Sequence, residues 1–188
     1  TFSPKIKVED GVLKIVQDPE TKKPFGKNGN IGNVTICIPA GKELKSIDGK
    51  LDFGDLNVEH VTAEKISVNM SAGDLVVKDA GMDELHADLS MGDMTLKDLT
   101  LGSATVSMSM GDLEAKGITF QTFNASMSMG DIDLDSAVSH LDASMDISTS
   151  MGEVQVNHND TGNHYSRKGS SDLNLTLDNS MGDIEVRW

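Results

Sequence analysis

A Gly-Asp step (once Gly-Glu) returns through this chain at a fixed distance. Gly54, Gly73, Gly92, Gly111, Gly130, Gly152 and Gly182 are separated by 19, 19, 19, 19, 22 and 30 residues. Four equal intervals in succession make the segment a structural repeat, and a unit this short must stack on its own copies to bury a core. Apolar residues stand at constant offsets from each glycine. Leu75, Met94 and Leu113 follow it by two, Val77, Leu96 and Ala115 by four, Ala80, Leu99, Ile118 and Ala137 by seven, and Met82, Leu101 and Phe120 by nine. A longer alternation then closes each unit, as in Leu85-Ala87-Leu89-Met91 and Ala104-Val106-Met108-Met110.

Within each run the step is two, the period of a strand with one buried face. Between runs the phase slips, which keeps the apolar side inward only if the chain turns a corner there. Each unit therefore reads as a three-sided coil with two short sides and one long one, its equivalents stacked about 4.8 Å apart. The predicted fold is all-β: a single-stranded parallel β-helix, or three-sided β-solenoid, of about 19 residues per coil. The usual hand of parallel crossovers predicts a right-handed coil. An N-terminal β cap is expected over residues 1 to about 50, carrying the runs KIKV, VLKIV and NVTICIP and the turn-rich loop QDPETKKPFGKNGNIG. Regular coils span 51–156, a polar loop insertion 157–171, and a final coil with C-terminal cap 172–188, closed by Trp188.

Charge narrows the function. The 16 Lys and Arg against 30 Asp and Glu leave a formal net charge of -14, which opposes binding to nucleic acid or anionic lipid because the protein would have to supply the cations. Cys37 is the only cysteine, so no intrachain disulfide and no cysteine-rich zinc site can form. No apolar run approaches the roughly 18 residues of a membrane span. The opening TFSPKIKVEDG lacks the layout of a signal peptide. That start fits a cytoplasmic chain, or one whose leader or anchor lies outside the sequence.

Three sets of residues could carry chemistry. The pairs Met108/Met110 and Met127/Met129 could offer soft thioethers to copper(I). Yet all eleven methionines read as inward, and Met fills irregular core space well. The acids Asp74, Asp93, Asp112 and Asp131 stack in register, and the like charges suggest a cation ladder in which calcium bridges successive coils. In the competing reading each Asp accepts a backbone N–H within its own corner and Gly supplies the unusual backbone angle. His158, Asp160 and His164 could hold a metal from the insertion, although their spacing fits no established motif. Ser71, Ser90, Ser109 and Ser128 form an outward column, and Lys78, Lys97 and Lys116 another. No phosphate-binding loop, dinucleotide fingerprint or nucleophile elbow is present.

The opening VEDGVLKIV, the run NVTICIPAG and the series SMGDLEAKG, SMGDIDLD and SMGDIEVRW resemble a bacterial adhesin family, a domain of unknown function. The resemblance implies a cell-envelope or extracellular surface setting and carries no catalytic residues. The expectation is a non-catalytic, adhesin-like interaction module presenting flat repeat faces to a protein or envelope partner, without cofactor. The alternatives are a structural spacer in a larger surface protein and a polysaccharide-active β-helix enzyme. The last fits poorly with an aromatic content of 4%, since sugar sites commonly use aromatic platforms.

Overall fold

A computed structural model describes residues 4–9, 11–17, 34–138 and 142–188. The chain divides into two compact units, Thr1–Pro39 and Ala40–Trp188. In the first, β1 (Pro4–Glu9) and β2 (Val12–Gln17) form an antiparallel hairpin with Ile6 opposite Ile15 and Val8 opposite Leu13. Gly11 takes the positive φ of the tight turn between them. The predicted run NVTICIP forms no strand over its described residues 34–39, and all but Gln17 of the loop QDPETKKPFGKNGNIG lies outside the described residues.

The second unit is a parallel β-solenoid of about five turns with about 19 residues per coil, and the described residues contain no helix. Stacking begins with β3 (Glu43–Leu51), which pairs with β5 (Thr62–Met70). The short β4 (Leu56–Glu59) and β5 both pair with β6 (Leu75–Met91), followed by β7 (Met94–Met110) and β8 (Leu113–Met129). Identical offsets meet at each level: Leu75 stands against Met94, Met94 against Leu113, and Ala87 against Val106. The inner columns are essentially dry, with Leu75, Val77, Met94, Leu96 and Phe123 at 0% exposure.

Two corners have a local cause. Six residues after the repeat glycine stand His60, Asp79, Asp98 and Gly117, all with φ between 50° and 65°. This left-handed conformation is one that Gly adopts freely and that Asp, Asn and His tolerate better than other residues. The Gly-Asp corner is the other, described below. Beyond β8 the ladder is irregular. The short β9 (Ile132–Ser136) shifts register between Lys116 and Ile118, so Ser136 turns inward at 5% exposure and Ala137, predicted inside, is exposed.

The C-terminal coil does not lie at the end of the stack, contrary to the sequence expectation. After β9 the chain forms β10 (Ser144–Met151) and β11 (Val154–Val156), then β12 (Asn159–Asp160) and β13 (His164–Arg167), then β14 (Asn174–Met181) and β15 (Ile184–Arg187). β14 pairs with β8 on one side and β10 on the other, and β15 pairs with β9 and β11. The last segment thus fills a level that the chain skipped on its first pass. The polar insertion 157–171, expected as a loop, carries β12 and β13. They pair antiparallel with β11 and β10 and occupy hydrogen-bonding edges that would otherwise be bare. Trp188 packs against the core from the inserted level, and the Arg167 guanidinium lies 5.4 Å from its ring centroid.

The inserted level is marked by polar side chains inside the core. Three residues before the repeat glycine the regular coils place Met70, Leu89, Met108 and Met127, whereas the last two levels place Asn179 and Thr149. Asn179 Nδ2 donates to the Gly130 carbonyl at 2.7 Å, and Thr149 Oγ1 donates to the Gly182 carbonyl at 2.9 Å. Each bond ties one level to the next in one register, as buried polar groups can. At the outer end, Asp142 accepts from the Ser170 backbone N–H at 3.2 Å and from the Ser170 hydroxyl.

Those two bonds, the hydroxyl's first, hold the Asp142 carboxyl below its ordinary range. A lowered folded-state pKa means that the contribution is present above the unfolded value near 4 and is lost as pH falls through the folded value. Ser170→Ala is therefore expected to raise the Asp142 midpoint in a carboxyl NMR titration and to flatten the acid-side loss of stability below about pH 4. An unmoved midpoint would show that the hydroxyl bond does not form in solution.

Candidate functional site

The Ser-Met-Gly-Asp corner is the most regular surface of the solenoid. Its glycines lie at φ between 120° and 154°, and the N–H of Gly54, Gly73, Gly92, Gly111, Gly130 and Gly182 bonds the carbonyl just before the glycine of the next level, as in Gly92 N to Met110 O at 3.1 Å and Gly130 N to Met181 O at 3.0 Å. A Cβ on Gly111 would lie 2.0 Å from the Gly92 carbonyl oxygen. Only Gly lets the levels approach this closely with such a backbone angle.

The acids beside these glycines form a hydrogen-bonded ladder. Asp74 donates its backbone N–H to Asp55 Oδ1 at 3.0 Å, Asp93 to Asp74 at 3.0 Å, Asp112 to Asp93 at 2.9 Å and Asp131 to Asp112 at 2.9 Å. The series runs on through the inserted level, with Asp183 N to Asp131 Oδ1 at 2.8 Å and Glu153 N to Asp183 Oδ1 at 2.9 Å. Each aspartate carboxylate of the ladder thus accepts from the next level, not from its own corner as the turn reading held.

Magnitudes explain why stacked charges are tolerated. Two carboxylates about 4.8 Å apart repel by about 1 kcal/mol in water, less once salt screens them. A hydrogen bond to a charged acceptor contributes on the order of 1.5–3 kcal/mol, less for exposed groups such as these. The bond therefore outweighs the repulsion. Asp112→Ala is expected to cost about 1 kcal/mol, while Asp112→Asn keeps an acceptor oxygen, removes a charge and is expected to match or exceed the parent at low salt. Urea midpoints of the two variants would check this; equal losses would mean that the acceptor does not matter.

The methionines divide in a way the sequence reading missed. Met70, Met82, Met94, Met108, Met127 and Met145 are buried at 5% exposure or less, but Met91, Met110, Met129, Met151 and Met181 are 37–62% exposed. The exposed five immediately precede the repeat glycine. In register they form one column, Met91 beside Met110, then Met129, Met181 and Met151. The pairs Met108/Met110 and Met127/Met129 accordingly separate, one member inside and one outside. Alternation suggested a common face, but the second member of each pair ends its strand at the corner beside the repeat glycine and is exposed there. Phe53, the residue before Gly54, is 84% exposed.

The other candidates do not converge. His158 pairs with Glu185 at 3.5 Å, His164 with Asp146 at 3.0 Å, and Asp160 accepts the Gly162 N–H at 2.7 Å. Among the described residues no group of three or more His, Cys, Asp or Glu is arranged to hold a metal ion. Lys78, Lys97 and Lys116 do stack in register. Lys116 sits between Glu114 and Asp133, whose carboxylates raise its pKa through the Glu114 hydrogen bond first. Arg187 bridges Glu185 at 2.6 Å and also Asp133, and both contacts hold its pKa above the ordinary value. A shallow depression of about 290 Å³ lies between β10, β13 and β14, beside Asp146 and Arg167. Among the described residues no helix is long and apolar enough to cross a membrane.

The fold and its corner define a parallel β-solenoid whose repeat is fixed by backbone packing at glycine, with an outward column of methionine beside one of acid. The chain belongs to the Toastrack DUF4097 family, a domain of unknown function, whose profile matches residues 3–179. No curated protein and no solved structure matches it.

Proposed function

We propose that the chain is a non-catalytic interaction module that holds a protein or envelope component against one regular face of its solenoid. The supporting observation is the continuous exposed column of Met91, Met110, Met129, Met181 and Met151, since a contiguous exposed apolar patch is a recognised mark of a contact site. The adhesin-like role and the envelope setting come from the sequence resemblance. Capture from an envelope extract, compared between the parent and variants altered on single faces, tests the reading. Loss of one captured partner with one face supports it, and capture independent of every face overturns it in favour of a spacer. Release of reducing ends from a glycan panel would overturn the non-catalytic assignment.

A further inference from the structure

We infer that the methionine column and the acidic ladder beside it form a docking stripe for a basic amphipathic helix of a partner protein. The inference rests on the interaction-module reading and names its face and ligand. Two observations carry it: the charge around the stripe, and its repeat distance.

The charge is one-sided. From four residues before to three after each of Gly73, Gly92, Gly111, Gly130, Gly152 and Gly182 there is no Lys, Arg or His, and every such window holds at least one acid. Of the other acids in these windows, Asp133 and Glu185 share Arg187, Glu114 pairs with Lys116, and Asp88 lies beside His86. The ladder acids Asp74, Asp93, Asp112, Asp131, Asp183 and Glu153 make no ion pair with a described residue, and all are exposed. An apolar strip edged by unpaired carboxylates complements a ligand with one apolar line and flanking cations. Anionic membrane is disfavoured by the same carboxylates.

The spacing selects a helix. Five levels span four steps of about 4.8 Å, or about 19 Å. A helix presents one apolar contact per turn of about 5.4 Å, so four turns cover about 22 Å and the mismatch over the whole stripe is about 2.4 Å. Alternate residues of an extended strand lie about 6.8 Å apart and are out of step by about 8 Å over the same levels. Met is unbranched and polarizable, and absorbs the smaller error by changing rotamer.

The test uses the intact chain carrying ¹³C-methyl methionine. The probe is a synthetic Leu–Lys peptide of about 18 residues with leucines at helical spacing. The controls are the same pattern with Glu for Lys, and a Leu–Lys peptide of equal composition with leucines at every second residue. The helical Leu–Lys peptide is expected to bind saturably, shifting the methyls of Met91, Met110, Met129, Met151 and Met181 while the six buried methyls stay in place. Combined Met110→Ser, Met129→Ser and Met181→Ser substitution is expected to weaken binding at least tenfold. Asp112→Asn with Asp131→Asn should weaken it and reduce its salt dependence. Shifts confined to other methyls, equal binding of the alternating or Glu peptide, or no binding would overturn the inference, and the parent spectrum alone decides this if a variant unfolds. Binding to lipid vesicles that the serine substitutions abolish, or a parent dimer that they dissociate in sedimentation, would also overturn it and assign the stripe to lipid or to a second copy. If peptide binding fails while envelope capture still depends on another face, the stripe is wrong and the module reading stands. If both fail, both fall.

Discussion

A chain ending at Ser171 is expected to lose cooperative unfolding altogether. Residues 172–188 supply Leu175, Leu177, Ile184 and Val186, each at 1% exposure or less, to a level enclosed on both sides. Burying one such side chain contributes about 1.5–3 kcal/mol, so the four together approach the roughly 5–15 kcal/mol that holds a whole domain folded. Their removal also leaves the edges of β8, β9, β10 and β11 facing an empty level. An outermost coil would behave differently, because its loss frays one end and leaves the rest standing. Thermal unfolding followed by circular dichroism separates the two outcomes. A peptide of residues 172–188 added in trans is further expected to restore the transition, since its level is bounded by strands that the shortened chain still carries. A shortened chain that melts sharply without the peptide would mean that β10 docks directly on β8 and that the inserted level is wrong.

Gly111→Ala carries the second large effect, expected at about 3 kcal/mol or more. At φ 125° an added Cβ meets the Gly92 carbonyl oxygen at 2.0 Å and its carbon at 2.6 Å. The backbone angle alone costs on the order of 1–3 kcal/mol for a non-glycine residue. The contact is with backbone, so relief requires the two coils to separate and weakens the Gly92 N to Met110 O bond of 3.1 Å that joins them. Gly81→Ala is the matched control, because Gly81 lies in β6 with nothing within 4 Å of its added Cβ. That change is expected to be neutral or stabilising by a few tenths of a kcal/mol. Urea midpoints at unchanged slope measure both. Equal effects at the two positions would show that the corner is looser than the 2.0 Å approach implies.

The two predictions differ in how much the sequence alone suggested them. The recurrence at Gly73, Gly92, Gly111 and Gly130 is strictly local information, and it led directly to the coil length, the corner and the inward columns. Charge stacking at Asp74, Asp93, Asp112 and Asp131 was also legible, since equal spacing places equal residues at equal heights. Which donor each carboxylate finds was not. A corner's own N–H and the next coil's N–H are indistinguishable in one dimension, and only the stacked fold shows the carboxylate reaching across levels. The methionines failed for a related reason. Period-two reasoning holds within a coil side, and it misplaced Met91, Met110 and Met129, which end their strands at the corner where the inner face stops.

By itself the sequence determined the repeat, because apolar periodicity and glycine placement act through neighbours within one coil. It determined the sign of the surface for the same reason, since net charge is a sum over residues. Only the tertiary structure decided the order of the levels. The 30-residue gap before Gly182 reads as a longer final coil, yet Asp183 donates to Asp131, Glu153 donates to Asp183, and Asn179 reaches Gly130. Every solenoid level offers nearly the same edge to the next, so local pattern cannot say which level a coil joins. That choice is made by the contacts that differ, the buried Asn179 and Thr149 and the antiparallel strands that close the outer edge.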